Sequence, residues 1–221
     1  MEATHTLAAE RFLMKLCVVS PFENASKAEI LAFLSKARAK LILLPGKSRN
    51  TPSPENVRDV IARGVSVFVE GCGRKKHTVP YLVTKRRLLS MPQQIFSRRP
   101  QSDDIRKLEA ALADRTFAIG NRTITFFICG EITAFNPDGS VKHGGQFQYD
   151  VVANPVHTIM GHWNHLGEKL RQLSIGSVAL YAANNDRNRN SLRTDVRIYK
   201  NGRLIIDRHS IPNITWAECV L

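Results

Sequence analysis

The sequence predicts an α/β fold in which mixed sheets are covered by helices. Three observations carry it. Short β-branched runs alternate with segments of helical period near both ends of the chain. Apolar runs such as Leu41-Ile42-Leu43-Leu44 are uninterrupted, as in strands buried on both faces. Tight hairpin signals, Gly120-Asn121 and Asn201-Gly202, add antiparallel pairs between these units.

In order, Phe12 to Val19 reads as the first strand, stopped by Ser20-Pro21. Ala28, Ile30, Leu31, Leu34 and Ala37 then share a helical face, with Asn24 or Ser26 as the cap. Leu41–Leu44 closes a βαβ unit of parallel strands. Thr51-Pro52-Ser53-Pro54-Glu55 is a helix start, and Val65–Val69 is a third strand. Tyr81–Val83 and Leu88–Met91 form a hairpin around Thr84–Arg86, and Ile105–Leu112 is a short helix. Phe117–Ile119 and Thr123–Ile128 flank Gly120-Asn121, and the second arm runs into Cys129-Gly130-Glu131. Asp150–Asn154 is a strand, Trp163, Leu166, Leu170 and Leu173 form a helical stripe, and Val178–Ala182 is a strand. Val196–Tyr199 and Arg203–Ile206 flank Asn201-Gly202; the tail to Leu221 carries no readable pattern. We read residues 1–11 as a mobile N-terminus and 12–221 as a single domain.

The 221 residues are 43% hydrophobic, which suffices for one sizeable core. No run is long enough to span a bilayer, and Met1–Glu10 lacks the pattern of a signal peptide, so no membrane partner is expected. The four cysteines, Cys17, Cys72, Cys129 and Cys219, form no CxxC pair. That spacing implies neither a metal site nor a disulfide scaffold and suits a reducing cytoplasm. No cofactor is implied.

The net charge is +13, and no Asp or Glu lies between Gly71 and Ser102. That window holds Arg74, Lys75, Lys76, Lys85, Arg86, Arg87, Arg98 and Arg99, and Arg187, Arg189, Arg193 and Arg197 form a second cluster. Nucleic acid or an acidic protein on a basic 71–102 face is one reading; a solvated basic face is the other. No zinc finger, RNP aromatic motif or helix-turn-helix accompanies the charge.

Five segments together resemble the carbon–nitrogen hydrolase (nitrilase) superfamily. Lys15-Leu-Cys-Val-Val looks like its opening strand and Ala39-Lys-Leu-Ile-Leu-Leu-Pro45 like its second. Thr125-Phe-Phe-Ile-Cys129-Gly-Glu131 resembles its nucleophile strand, and Val151-Val-Ala-Asn-Pro-Val-His157-Thr158 the loop after the next strand. Lys169–Ser174 followed by Val178–Asn185 resembles the next helix and strand. The resemblance implies a nitrilase-like α-β-β-α sandwich, pairing of sandwiches into a homo-oligomer, a small amide or nitrile ligand, and a Glu-Lys-Cys site. In such a site a carboxylate activates the thiol, the thiolate attacks carbon, and the ammonium with a backbone N–H holds the oxyanion.

The match departs from the family at two of these three groups. Gly46 follows Pro45, where the family has its glutamate. The lysine position falls on Lys85, in Lys85-Arg-Arg-Leu88, or on Gln93, after the second hairpin strand. Cys129 is matched, with Glu131 two residues on. Three functional readings follow: a non-catalytic or impaired relative of thiol-dependent C–N hydrolases; an active cysteine amidohydrolase whose base is rebuilt from His157 or Glu70; and a basic nucleic-acid-binding accessory protein. For each residue a plain alternative stands: a core cysteine at 129, an ordinary loop histidine at 157, surface or loop acids at 70 and 131.

Overall fold

The computed structural model describes residues 13–72, 78–157, 163–184, 196–205 and 207–221. The N-terminal segment 1–11, the turn residues Arg74–Lys76, Thr158, Asn185 and Arg187, Arg189 and Arg193 of the second basic cluster lie outside the described residues.

The βαβ reading of the first third holds. β1 (Lys15–Pro21), α1 (Lys27–Lys36) and β2 (Leu41–Leu43) form one unit, with β1 and β2 parallel. Ser26 starts α1 through a reciprocal capping box: Glu29 N–H donates to Ser26 Oγ (3.1 Å) and Ser26 N–H to Glu29 Oε2 (2.7 Å). Pro54 opens α2 (Pro54–Val60), where its missing N–H costs nothing, behind the Ser53 cap. β3 (Ser66–Cys72) joins β2 in parallel. β4 (Thr78–Thr84) and β5 (Leu88–Ser90) are antiparallel.

The second half repeats the plan. α3 (Ser102–Ala113) leads to the hairpin β6 (Thr116–Ile119) and β7 (Arg122–Phe126). β8 (Val151–Val156), α4 (Trp163–Leu173) and β9 (Val178–Ala183) follow, with β7, β8 and β9 parallel. β10 (Val196–Lys200) and β11 (Arg203–Ile205) turn at Asn201-Gly202.

The tail is the main departure from the sequence reading. It forms β12 (Arg208–Ile211) and β13 (Ile214–Val220), and β13 pairs antiparallel with the whole of β1.

One sheet has the order β12-β13-β1-β2-β3-β4-β5 and the other β11-β10-β9-β8-β7-β6. Leu16, Val18, Leu41, Leu43 and Phe68 of the first meet Ile124, Phe126, Ala153 and Leu180 of the second in a buried layer between them. The opposite faces are covered by α1 and α2 through Ile30, Leu34 and Val57, and by α3 and α4 through Leu108, Leu112 and Leu170. The architecture is the α-β-β-α sandwich. The strands are near-continuously apolar because both faces of each sheet are covered.

The basic window 71–102 is not one face. The β4–β5 hairpin runs the length of its sheet, so Lys85–Arg87 sit at one end. Arg98 sits at the other, where its carbonyl accepts from Thr133 Oγ1 (3.1 Å).

Candidate active site

The parallel strands of the two sheets end at the same pole, where Ser20 Oγ donates across to Ala183 O (2.6 Å). Ligand sites in α/β sheets form at such carboxyl ends. Glu70 comes from β3; Cys129, His157 and Asn184 follow β7, β8 and β9; Gly46 follows β2.

Cys129 does not prolong its strand. β7 ends at Phe126, and a 3-10 helix, Cys129–Ala134, begins at the cysteine. Cys129 takes φ 50°, a left-handed conformation uncommon outside glycine. Such a strained strand-to-helix turn exposes a nucleophile while fixing its direction. The turn is pinned by Asn154, fully buried on β8, whose Nδ2 donates to Phe127 O (2.5 Å) and Cys129 O (3.1 Å). Glycine is needed at 130, because a Cβ there would lie 2.7 Å from Cα and the carbonyl oxygen of Ser97.

His157 is the group against the sulfur. Its imidazole and its backbone N–H both hydrogen-bond Cys129, and so does the Gly130 N–H. Burial pushes the Cys129 thiol up; these donors and the nearby imidazole outweigh it, so the net shift is downward. His157 Nε2 also lies 2.8 Å from Glu70 Oε2. The bonds to Cys129 and then Glu70 raise the imidazole to about 10, against the opposing effect of burial. Glu70 is only 2% exposed, and Lys47 N–H also donates to its Oε2 (2.8 Å). Acid, imidazole and thiol thus form a chain of hydrogen bonds that favours a thiolate–imidazolium pair.

The glycine at 46 makes room for this array. A Cβ there would sit 2.9 Å from Cδ2, Cγ and the backbone N of His157. The imidazole therefore occupies the space that a longer side chain at 46 would claim. The approach is locked by Gly46 N–H to Val156 O (2.9 Å), and by Asn184 Nδ2 to both Gly46 O (2.6 Å) and His157 O (3.0 Å).

Of the two positions read for the family lysine, Lys85 falls far from this array and Gln93 does not. Lys85 is exposed and donates to Asp59 O (2.8 Å) and Arg58 O (3.3 Å). Thr84 pairs with Ser66, at the amino end of β3, and Pro80 with Glu70. Lys85 thus stands roughly 15 Å along the strand from the site. Gln93 follows β5 at the pole of the site, where Ser90 pairs with Tyr81 beside the Glu70–Pro80 pair; it is exposed, and its carbonyl accepts from Arg115 Nη2.

Glu131 is fully buried and does not face the sulfur. Its Oε2 accepts from Arg115 Nη1 (2.6 Å) and Ile128 N–H (2.8 Å), and Oε1 from Ile95 N–H (2.6 Å). With its oxygens so occupied it orients the turn and the 92–95 segment and takes no proton from the thiol. Arg115, 0% exposed, also donates to Pro92 O (3.0 Å). At the far end of the 3-10 helix Lys142 Nζ and Lys169 Nζ donate to Thr133 O (2.8 Å) and Ile132 O (3.2 Å). Burial, and then the charge of Lys142, bring Lys169 down to about 8. Arg115, Lys142 and the tie at Asn184 carry no motif, and sequence reading did not single them out.

No family model matches this sequence, and no curated protein matches it. Solved structures do. The chain has the fold of the carbon–nitrogen hydrolases. A CN-hydrolase superfamily protein from Xanthomonas campestris, with an arsenic adduct in its active site, superposes with TM-score 0.59 at 11% identity, covering 93% of this chain and 90% of that one. A Cys-to-Ser variant of the nitrilase-superfamily amidase of Nesterenkonia AN1 gives TM-score 0.59 at 13% identity, over 92% and 90% of the two chains. A Cys-to-Ala variant of that amidase in complex with butyramide gives 0.59 at 14%, over 93% and 90%.

Proposed function

We propose that this chain is a divergent carbon–nitrogen hydrolase whose base has been rebuilt, and that it cleaves small amides through Cys129, His157 and Glu70. The observation that carries this reading is the continuous contact Glu70–His157–Cys129 at the carboxyl ends of the strands. It favours the active reading over that of an impaired relative. The side chain missing at Gly46 is replaced in space by an imidazole with its own carboxylate.

The chemistry follows from the groups. The Cys129 thiolate attacks the amide carbonyl carbon, forming a C–S bond while the C=O electrons move to oxygen. The backbone N–H groups of Gly130 and His157, which both act on the sulfur, are the donors at hand for that oxyanion. As the oxyanion collapses the C–N bond breaks, and the His157 imidazolium gives its proton to the departing amine. Water then attacks the thioester, neutral His157 takes its proton, and the thiolate leaves with the acid released. Glu70 holds the ring and stabilises its charged form, as the third member of such triads does. The distant Lys85 plays no part.

Butyramide and other short aliphatic amides are the first substrates to try, because the Nesterenkonia amidase has been captured with butyramide. Ammonia release by the wild type, lost in Cys129→Ala, together with an acyl mass adduct on the Cys129 peptide, is expected. No release with any short amide and no adduct at Cys129 would return the chain to the impaired class.

A further inference from the structure

At the opposite pole lies a groove of about 440 Å³. It is lined by Lys40 before β2, Arg63 before β3, Lys85 and Arg86 of the β4–β5 turn, and the β6–β7 turn around Gly120. No carboxylate is among its lining residues. Among the described residues Lys40, Arg63 and Arg86 belong to no ion pair, and all three are exposed. Lys85 is fixed by the carbonyls of Arg58 and Asp59 at the end of α2. Lys40 reaches across the groove, its Nζ lying 3.6 Å from where a Cβ on Gly64 would be.

Like charges so gathered repel one another unless an anion lies between them. Three separate loops place them around one concavity, which a merely solvated basic surface does not require. We propose that this groove binds the phosphate backbone of a nucleic-acid strand. The ligand is a polyanion and not a single small anion, because the charge continues past the groove. Arg87 extends the turn, and the chain as a whole carries +13. Phosphate contacts of this kind give affinity without base sequence. The site is separate from the Cys129 array, so the two proposals stand or fall independently.

The test is fluorescence anisotropy with a labelled single-stranded DNA oligonucleotide, and RNA of the same sequence, over a range of salt. Wild-type protein is expected to bind at roughly micromolar concentration in low salt, with affinity falling as salt rises. Lys40→Glu/Arg63→Glu/Arg86→Glu should weaken binding at least about tenfold. The log–log salt slope should become shallower by about 2, since three phosphate contacts each contribute about 0.7. Far-ultraviolet circular dichroism and thermal unfolding report that this variant is folded. If it is not, Lys40→Gln/Arg63→Gln/Arg86→Gln removes the charges without reversing them, and its slope decides. Absence of wild-type binding in low salt, an unchanged slope in the folded variant, or displacement of the strand by inorganic phosphate at equal phosphate concentration would each overturn the proposal.

Discussion

Gly46→Ala is the smallest change that strikes the rebuilt site without touching any of its three side chains. The glycine is not needed for backbone conformation, since Gly46 is absent from the positive-φ glycines. It is needed for space. The added methyl would meet His157 Cδ2, Cγ and N at 2.9 Å, whereas comfortable contacts are about 3.5–4.0 Å. His157 must therefore move by roughly 0.6–1 Å. It cannot simply swing out, because Asn184 Nδ2 holds Gly46 O at 2.6 Å and His157 O at 3.0 Å. A misplacement of about 1 Å costs on the order of 10²-fold in rate, so Cys129 alkylation by iodoacetamide near neutral pH should slow by about 10–100-fold. Overpacking of about 1–3 kcal/mol should also lower Tm by roughly 2–12 °C for a chain of this size. Stopped alkylation followed by peptide mapping reads the first, and thermal unfolding the second. A Gly46→Ala protein that alkylates at the wild-type rate would refute the claim that the glycine makes room for the imidazole.

Other outcomes follow from the same geometry. Glu70→Gln removes the charge that supports the imidazolium and should cut kcat/KM on a short amide by about 10²–10⁴-fold, by analogy with the loss of a triad acid; steady-state kinetics reads it. Because Cys129 is shifted down and His157 up to about 10, the thiolate–imidazolium pair exists between those two ionisations. The pH profile of kcat/KM should therefore rise through the first and fall through the second. Burial pushes the Glu131 carboxyl up even beside Arg115, so Arg115→Met, which leaves it buried without its partner, should cost about 3–5 kcal/mol; Arg115→Met/Glu131→Met should be closer to wild type in thermal unfolding.

The fold was legible where local chemistry decides it. Asn24 or Ser26 reads as a cap, Thr51–Glu55 as a helix start and Asn201-Gly202 as a turn; Ser26 is the cap, Ser53-Pro54 the start, and Asn201-Gly202 the turn. β13 was not legible. Its residues facing the other sheet, Ala217 and Cys219, are small, and Trp216 on the reverse face is covered by Phe33 of α1 at 5.1 Å between ring centroids. Covering both faces removes the alternation that marks a half-exposed strand. The site was legible in part. Cys129 stood out at the end of an apolar run, but the sequence placed it on a longer strand, whereas Ile128 N–H turns to Glu131 (2.8 Å) and the strand stops. His157 and Glu70 were named as candidates, yet nothing in one dimension shows that residues 46, 70, 129 and 157 converge. That depends on two sheets sharing a pole, and on a missing side chain whose volume another residue fills. Arg115 stayed hidden because a fully buried arginine carries no local pattern apart from its partners.

The most direct measurement is the ionisation of Cys129, followed by thiolate ultraviolet absorbance as the difference between wild type and Cys129→Ala. Burial raises Cys17 and raises Cys219 to about 11, and subtracting the Cys129→Ala spectrum removes what these two and Cys72 contribute, so the difference isolates Cys129. With His157 in contact, the inflection should lie below the ordinary thiol value of about 8.5. In His157→Asn the imidazolium is gone, burial prevails, and the inflection should move above that value. A wild-type inflection at or above the ordinary value, unmoved by His157→Asn, would contradict a rebuilt Cys129–His157–Glu70 site.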